Sequence, residues 1–352
     1  METIKNICRI CVWLVVISPC IIYGQSDTLN RTDKFGKKYG AWEKYEKGKL
    51  LWKATFYNGE PVGEFIHFYP DKKIKDKLYY HPNSPKVTAE TYHPNGKKAS
   101  EGIFINKNKD GKWLYYNSSE KLVAEESYLS GKKQGVFKLY SPEDGTLLEE
   151  ESWKNGILNG EHIEYFTTGS IRLKWHHKDG KIDGAFESYY LDGKVWNKGQ
   201  YIAGLRNGTW TCYDREGNEM KIEEITRERV TRTVLGFKAP GQWLKLDATT
   251  IAYFFQKPGN NICIQLWNGK KIMLDEENSL VEISNTAGVG LFIFVNEGIL
   301  SSYESIRKIT ETGENEATVT LKPQPSFEVY TYDDYYKILK ALMNPEPPKQ
   351  DE

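Results

Sequence analysis

The chain has 352 residues with 48 basic and 48 acidic side chains, so its formal net charge is zero. A balanced charge gives no global field that would favour nucleic acid or a strongly acidic surface as a partner. Aromatic residues are abundant, with 23 Tyr and 10 Trp, which is typical of all-β repeat or binding proteins. The length leaves room for about two domains.

Residues 1–24 have the order of a secretory signal peptide. Lys5 and Arg9 are followed by Ile10–Tyr23, an apolar run of 14 residues without a charge. This run is shorter than the roughly 20 residues that a membrane span needs. The protein is therefore expected to be exported, to the periplasm, the outer-membrane surface or the extracellular space.

We expect cleavage after Gly24, so that the mature chain begins at Gln25 and residues 25–35 form a linker. The alternatives are an uncleaved anchor and a lipoprotein signal at Cys20. If the signal is cleaved, no stable transmembrane segment is expected in the mature chain.

A glycine followed by aromatic residues two and five positions later recurs within residues 36–220. The repeated sets are Gly40-Trp42-Tyr45, Gly63-Phe65-Phe68, Gly111-Trp113-Tyr116, Gly135-Phe137-Tyr140, Gly160-His162-Tyr165, Gly184-Phe186-Tyr189 and Gly208-Trp210-Tyr213. Midway between the second and third sets, Val87 stands where the glycine is expected. Successive units therefore start 23, 24, 24, 24, 25, 24 and 24 residues apart, and this fixed period predicts eight structural repeats.

Turn signals within each unit predict two short antiparallel strands. Asn-Gly and Asp-Gly pairs favour tight turns because the central residues of such turns need a positive φ. The pairs are Asn58-Gly59, Asn95-Gly96, Asp110-Gly111, Asn155-Gly156, Asp179-Gly180, Asp183-Gly184, Asp192-Gly193 and Asn207-Gly208. Between turns, residues alternate with the period of two that indicates strands. We therefore predict an extended all-β meander of eight hairpins, each in contact only with its neighbours.

This pattern resembles the MORN repeat variant family of bacteria, over residues 36–220 only. The resemblance implies a β-hairpin array used for contact with proteins or a membrane surface. It also implies no catalytic residues, and some members of the family are labelled as antitoxins. The sequence departs from the family pattern at Val87, at Asp71–Asp76, and at His162 and His177, which stand in aromatic positions.

After Gly217 the regular period ends, and residues 221–343 carry short apolar runs instead. The charged segment 221–232 is interpreted as a final strand or a connector. The apolar runs are 250–256, 262–267, 271–274, 280–283, 289–295 and 317–321, and they predict a compact β-rich domain. Asp333–Met343 has helical spacing and is expected to be one C-terminal helix. Residues 344–352 contain three prolines and are expected to be a disordered tail.

Two motifs suggest site chemistry. Gly288-Val289-Gly290 is similar to the start of a phosphate loop, but the third glycine is missing, so glycines in a strand are the favoured interpretation. His176 and His177 beside Asp179 are candidate metal ligands, but adjacent residues point to opposite faces of a strand, so structural histidines are favoured. We therefore expect a protein that is not an enzyme and that uses neither a cofactor nor a metal.

Cys212 and Cys263 are the two cysteines that follow the signal segment. An oxidising compartment would permit a disulfide between them. Two buried, inert thiols are the interpretation that we favour.

The sequence thus indicates an exported repeat protein that acts as a protein-interaction scaffold in the bacterial cell envelope. One alternative is an immunity or antitoxin-type protein that neutralises a toxin. Another is a glycan-binding surface protein, because aromatic side chains present an apolar body to a ligand. A protein is the expected partner, a glycan is the alternative partner, and nucleic acid is not expected.

Overall fold

The computed structural model describes residues 29–343. The predicted signal peptide and the predicted tail lie outside the described residues. Strands make up 62% of the structure and helices 7%, which confirms the predicted all-β fold class. The chain divides into two compact units at residues 97 and 98, and each unit is described separately below.

The first unit is an antiparallel meander in which each strand pairs with the next. Its strands are β1 Arg31–Thr32, β2 Lys38–Glu46, β3 Lys49–Tyr57, β4 Glu60–Phe68, β5 Ile74–Tyr80 and β6 Lys86–Tyr92. Strand β1 lies within the predicted linker, and the carbonyl of Arg31 accepts a 3.0 Å hydrogen bond from Nε1 of Trp42. Strand β1 therefore covers the outer edge of the first repeat of this unit.

The second unit begins with a longer antiparallel meander. Its strands are β7 Lys98–Ile105, β8 Asn108–Tyr116, β9 Leu122–Leu129, β10 Lys132–Lys133, β11 Gly135–Tyr140, β12 Leu147–Lys154, β13 Ile157–Tyr165, β14 Ile171–Lys178, β15 Lys181–Tyr189, β16 Val195–Ile202, β17 Leu205–Tyr213, β18 Glu219–Thr226, β19 Arg229–Ala239 and β20 Gln242–Asp247. Strands β10 and β11 both pair with β9, so they occupy one position in the meander. The predicted connector 221–232 is part of β18 and β19, and these two strands continue the antiparallel pairing.

Tight turns at one edge of this meander are stacked on one another. In the turns at Asn155-Gly156 and Asp179-Gly180, both central residues have a positive φ, as predicted from these pairs. The amide of each turn glycine donates to a carbonyl of the preceding repeat, at 2.8 Å for Gly156 to Lys133 and 2.9 Å for Gly180 to Leu158. These bonds join consecutive repeats and hold them in one register.

The first glycine of each repeat has a positive φ, but most of these glycines lie inside strands. Gly111, Gly184 and Gly208 belong to β8, β15 and β17 and face shifts in the strand register. The prediction that Asp110-Gly111, Asp183-Gly184 and Asn207-Gly208 form turns is therefore wrong. A bulge also places a residue in the left-handed region, so the same residue pairs suit it.

The second aromatic residue of each repeat marks another bulge. The register shifts occur at Tyr45, Phe68, Tyr116, Tyr140, Tyr165, Tyr189 and Tyr213. Two irregularities at constant positions therefore occur in the repeats that begin at Gly63, Gly111, Gly160, Gly184 and Gly208. Bulges increase the local twist of a sheet, so the twist is repeated from unit to unit.

The rest of the second unit is built on two smaller sheets. The five-stranded sheet has the order β23–β22–β21–β25–β24 and the other joins β26, β27 and β28. The strands are β21 Ile251–Gln256, β22 Ile262–Leu266, β23 Lys271–Met273, β24 Phe292–Asn296, β25 Ile299–Ser302, β26 Ile306–Gly313, β27 Glu316–Leu321 and β28 Tyr330–Tyr332. Phe254 belongs to one buried cluster with Leu235, and its neighbour Phe255 belongs to another with Leu339. The five-stranded sheet is therefore apolar on both faces.

Two helices pack on these sheets, α1 Leu280–Ala287 and α2 Asp333–Met343. Helix α2 is the predicted C-terminal helix. Helix α1 includes the run 280–283, for which we expected a strand. Its N-terminus is capped because the Ser279 hydroxyl accepts from the amide of Glu282 at 3.1 Å, and Leu280, Ile283 and Ala287 form its buried face. This capping box is a local signal that favours a helix.

The two cysteines of the described chain are free, with Cys212 half-buried in β17 and Cys263 buried in β22. Burial raises the pKa of both thiols, and a thiol that is not ionised reacts slowly. We expect both thiols to react slowly with a disulfide reagent near neutral pH and rapidly in denaturant. A double Cys→Ala variant should fold and be exported. Loss of soluble protein that only the cysteine pair restores would contradict this prediction.

Candidate interaction surface

One face of the repeat meander, here called the aromatic face, carries the aromatic residue two positions after each first glycine. In the second unit these residues are Trp113, Phe137, His162, Phe186 and Trp210. Trp113, Phe137 and Trp210 are buried, and each touches rings on neighbouring strands, such as Phe137 with Trp153 at 5.7 Å between ring centroids. In the first unit Trp42 and Phe65 make the same kind of contact with Phe56. Ring-to-ring packing thus repeats along the array.

In the second unit, the indole rings of Trp113 and Trp210 each lie on a glycine. A Cβ atom on Gly102 would be 2.2 Å from Cδ2 of Trp113, and one on Gly199 would be 2.2 Å from Cδ2 of Trp210. Neither glycine has a positive φ, so the indole ring rather than the backbone conformation requires glycine here. In the first unit, the smaller ring of Phe65 pairs with Ala54. These two glycines were not predicted from the sequence, although the spacing from glycine to tryptophan is the same in both pairs.

Basic side chains cover the rings in several repeats. Nζ of Lys109 lies 4.5 Å from the Trp113 centroid, and Nζ of Lys133 lies 4.1 Å from that of Trp153. The guanidinium of Arg206 lies 5.5 Å from the Trp210 centroid. Each of these residues stands two positions before the first glycine of its repeat, so the cations recur with the period. A cation over a ring contributes about 0.5–1 kcal/mol at an exposed site.

The opposite face, here called the charged face, carries a row of cross-strand pairs in continuous register. The row runs through Glu125, Lys138, Glu150, Ile163, Lys174, Glu187, Lys198 and Thr211. Nζ of Lys138 lies 2.7 Å from the Glu150 carboxylate. Opposite charges on paired strands stabilise a sheet by roughly 0.2–1 kcal/mol per pair. Because the pairing is continuous along this row, the strands of adjacent repeats are in register.

Several tyrosines donate to carboxylates, and this pairing predicts a response to alkaline pH. The hydroxyls of Tyr116 and Tyr128 donate to Glu101 and Glu126 at 2.6 Å and 2.7 Å. Desolvation and these bonds raise the pKa of both tyrosines from 10.0 to about 12. The neutral phenol therefore stabilises the fold fully below pH 10, and this contribution is lost as the pH rises through about 12.

We accordingly expect thermal stability to fall between pH 10 and pH 12. Ultraviolet absorbance of tyrosinate and melts followed by circular dichroism measure the two effects. Tyr116→Phe is the matched variant, because it keeps the ring and removes one ionising group. Ionisation of all native tyrosines near pH 10 would show that these bonds do not hold the phenols neutral.

A row of exposed apolar side chains, here called the tip row, lies at the edge of stacked turns. Its members are Leu129, Ile157, Ile202, Leu205 and Val230, which are between 41% and 56% exposed. Ile202 and Leu205 form a cross-strand pair beside their turn. At the turn around Asp179-Gly180 the same pair of positions is Lys178 and Lys181. Adjacent exposed apolar side chains, such as Ile202 and Leu205, are a feature of contact surfaces.

A cleft of about 830 Å³ lies between the last repeat strands and α1. Its lining includes the apolar side chains of Phe237 and Trp243 and the carboxylates of Asp214, Asp275 and Glu282. Nε1 of Trp243 donates to the carbonyl of Glu219 at 3.1 Å, so this ring is held by the sheet. These carboxylates would disfavour an anionic ligand.

The two motifs considered for chemistry do not form the sites that their residue types suggest. Gly288 follows α1 as its C-terminal cap with a φ of 86°, and Val289 is exposed. The expectation that these glycines lie in a strand is therefore wrong, because they end a helix. His177 is buried and lies 5.5 Å from His162 between ring centroids, whereas His176 is exposed.

The sequence model of the MORN repeat variant family matches residues 87–106 and 182–203. The chain thus carries MORN repeat variant sequences at these two places, as the residue pattern predicted. The first match begins at Val87, the unit without its first glycine. No curated protein matches the chain.

Similar solved structures include the LytTr DNA-binding domain of a methyl-accepting/DNA response regulator from Bacillus cereus. It is 14% identical, with 32% of this chain and 96% of that chain covered and a TM-score of 0.27. The crystal structure of TarM is 12% identical, with 28% and 20% covered and a TM-score of 0.21. That of TcdB2-TccC3-TEV is 12% identical, with 68% and 16% covered and a TM-score of 0.17. This chain thus spans only a fifth or less of the length of the last two, and scores this low do not establish a shared fold.

Proposed function

We propose that this protein is an exported, non-enzymatic scaffold of the bacterial cell envelope that binds a protein partner through the tip row. The MORN repeat variant sequences support a contact role, because these repeats are generally interaction repeats and not catalytic. Within residues 29–343 no helix is long and apolar enough to cross a bilayer.

The observation that carries this proposal is the recurrence of the tip row on stacked turns. Four of its side chains, Leu129, Ile157, Ile202 and Leu205, are at least 44% exposed. Full burial of one such side chain contributes roughly 1.5–3 kcal/mol. The turns are held by backbone bonds between repeats, so a partner would not have to order them on binding.

Affinity capture from the envelope fraction followed by mass spectrometry tests the proposal. We expect a specific partner with the native chain and loss of that partner when Leu129, Ile157, Ile202 and Leu205 are changed to Ser. The matched control changes Lys178 and Lys181 to Ser, because these residues occupy the same positions at another turn. Equal capture by both variants would contradict docking on the tip row. A captured toxin would assign the protein to the immunity alternative.

Export makes a separate prediction about the N-terminus. Because charged, apolar and small residues follow one another up to Gly24, the mature chain should begin at or next to Gln25. Intact mass or N-terminal sequencing of the exported protein measures the start. Detection of residues 1–20 in the mature protein would contradict cleavage.

A further inference from the structure

Two carboxylates and one imidazole converge on the aromatic face. Glu149 and Glu151 lie on β12, and His162 lies opposite Glu151 on β13. Oε1 of Glu149 is 2.8 Å from Nε2 of His162, and Oε1 of Glu151 is 3.9 Å from Nδ1. One ligand atom from each of the three residues lies within 4.8 Å of the others.

His162 is a buried polar side chain without a hydrogen bond. It is 6% exposed, and neither ring nitrogen has a hydrogen-bond partner among the described residues. Oε1 of Glu149 lies 2.8 Å from Nε2 but is not aligned to accept a hydrogen bond from it. Buried polar groups are nearly always hydrogen-bonded, so this imidazole requires another explanation.

The two carboxylates also lack a neutralising cation. Among the described residues, no lysine or arginine nitrogen lies within 4.0 Å of Glu149 or Glu151. In other repeats Lys109, Lys133 or Arg206 covers this face, but here the equivalent position is Leu158.

We propose that Glu149, Glu151 and His162 bind a divalent transition metal ion of the Zn²⁺ class. One imidazole nitrogen and two carboxylate oxygens are ligands that Zn²⁺ accepts, with a fourth position left for water. The imidazole distinguishes this set from the all-oxygen sites of Ca²⁺ and Mg²⁺. The ion would neutralise the two carboxylates and link β12 to β13.

Neighbouring side chains hold these ligands in place. Nε1 of Trp153 donates to the second oxygen of Glu151 at 3.0 Å. The indole of Trp175 stacks on the His162 ring at 3.9 Å between centroids and 21° between planes. Contacts of this kind orient metal ligands and restrict their motion.

Titration calorimetry with ZnCl₂ on the tag-free, chelator-treated protein tests the site. We expect one Zn²⁺ per chain, no comparable binding of CaCl₂, and a higher thermal midpoint with Zn²⁺. His162→Phe should fold, because Phe137 and Phe186 occupy the equivalent position in other repeats. This variant and the Glu149→Gln/Glu151→Gln variant should each bind Zn²⁺ at least about 100-fold more weakly.

The matched controls are Glu150→Gln and His176→Ala, which change neighbouring residues that face away from the cluster. Both controls should keep the affinity of the native protein. Binding by the native chain no tighter than that of the Glu149→Gln/Glu151→Gln variant would overturn the proposal, as would equal loss in the controls. The result is independent of partner capture, because the tip row is unchanged in all four variants.

Discussion

Removal of residues 135–159, one whole repeat, is expected to leave a folded protein with one repeat fewer. The deletion joins Gln134 to Gly160, so β10 continues into the rest of β13. Each repeat is hydrogen-bonded to its neighbour through equivalent turn glycines, and therefore the new neighbours meet in register. The array should become shorter by two strand spacings, about 10 Å. Circular dichroism should show an unchanged strand signal per residue, and the thermal midpoint should change little.

Removal of residues 135–146, half of the same repeat, provides the matched comparison. This deletion joins Gln134 to Leu147, so it removes β11 and reverses the direction of every later strand. The pairing of the later repeats and the buried clusters of the C-terminal sheets would be lost, and the variant should misfold or be degraded. If the two deletions damage the protein equally, the repeats form one cooperative core and not an array of neighbours.

Substitution of Gly199 by Ala is expected to destabilise the second unit strongly. The added methyl group would lie 2.2 Å from Cδ2 of Trp210, which is 6% exposed and cannot move into solvent without losing its contacts. Overpacking of a buried site costs typically 1–3 kcal/mol, and we expect a loss near the upper end, about 3 kcal/mol. Urea unfolding measured by tryptophan fluorescence gives the free energy.

A second substitution in the same contact should restore stability. Gly199→Ala combined with Trp210→Phe recreates the pair that Ala54 and Phe65 form in the first unit. The double variant should therefore be more stable than Gly199→Ala alone. Gly204→Ala is the control, because no atom lies within 4 Å of the added Cβ and only the positive φ of 90° opposes it. A Gly199→Ala protein as stable as the native protein would show that the indole does not rest on this glycine.

The fold class and the repeat boundaries could be predicted because their causes are local. Period-two alternation marks strands wherever it occurs, and Asn155-Gly156 needs no distant residue to favour a tight turn. The capping box at Ser279 and Glu282 is equally local, and it was available to predict α1. The second aromatic residues were recognisable as a repeated feature, but not as the positions of bulges.

The sequence by itself determined that the chain repeats at a nearly constant spacing, that the repeats are strands, and where most hairpins turn. Only the tertiary structure decided which side chains meet, namely Trp210 with Gly199 and His162 with Glu149 and Glu151. These contacts depend on the register between strands, which shifts by two residues opposite the first glycines, as at Gly208, and by one at the second aromatic residues, as at Tyr213. A shift of one residue moves side chains to the other face of a sheet. The face on which a side chain lies, and the residue that it contacts, therefore depend on where the bulges are. The alternation of apolar and polar residues in the sequence does not locate the bulges.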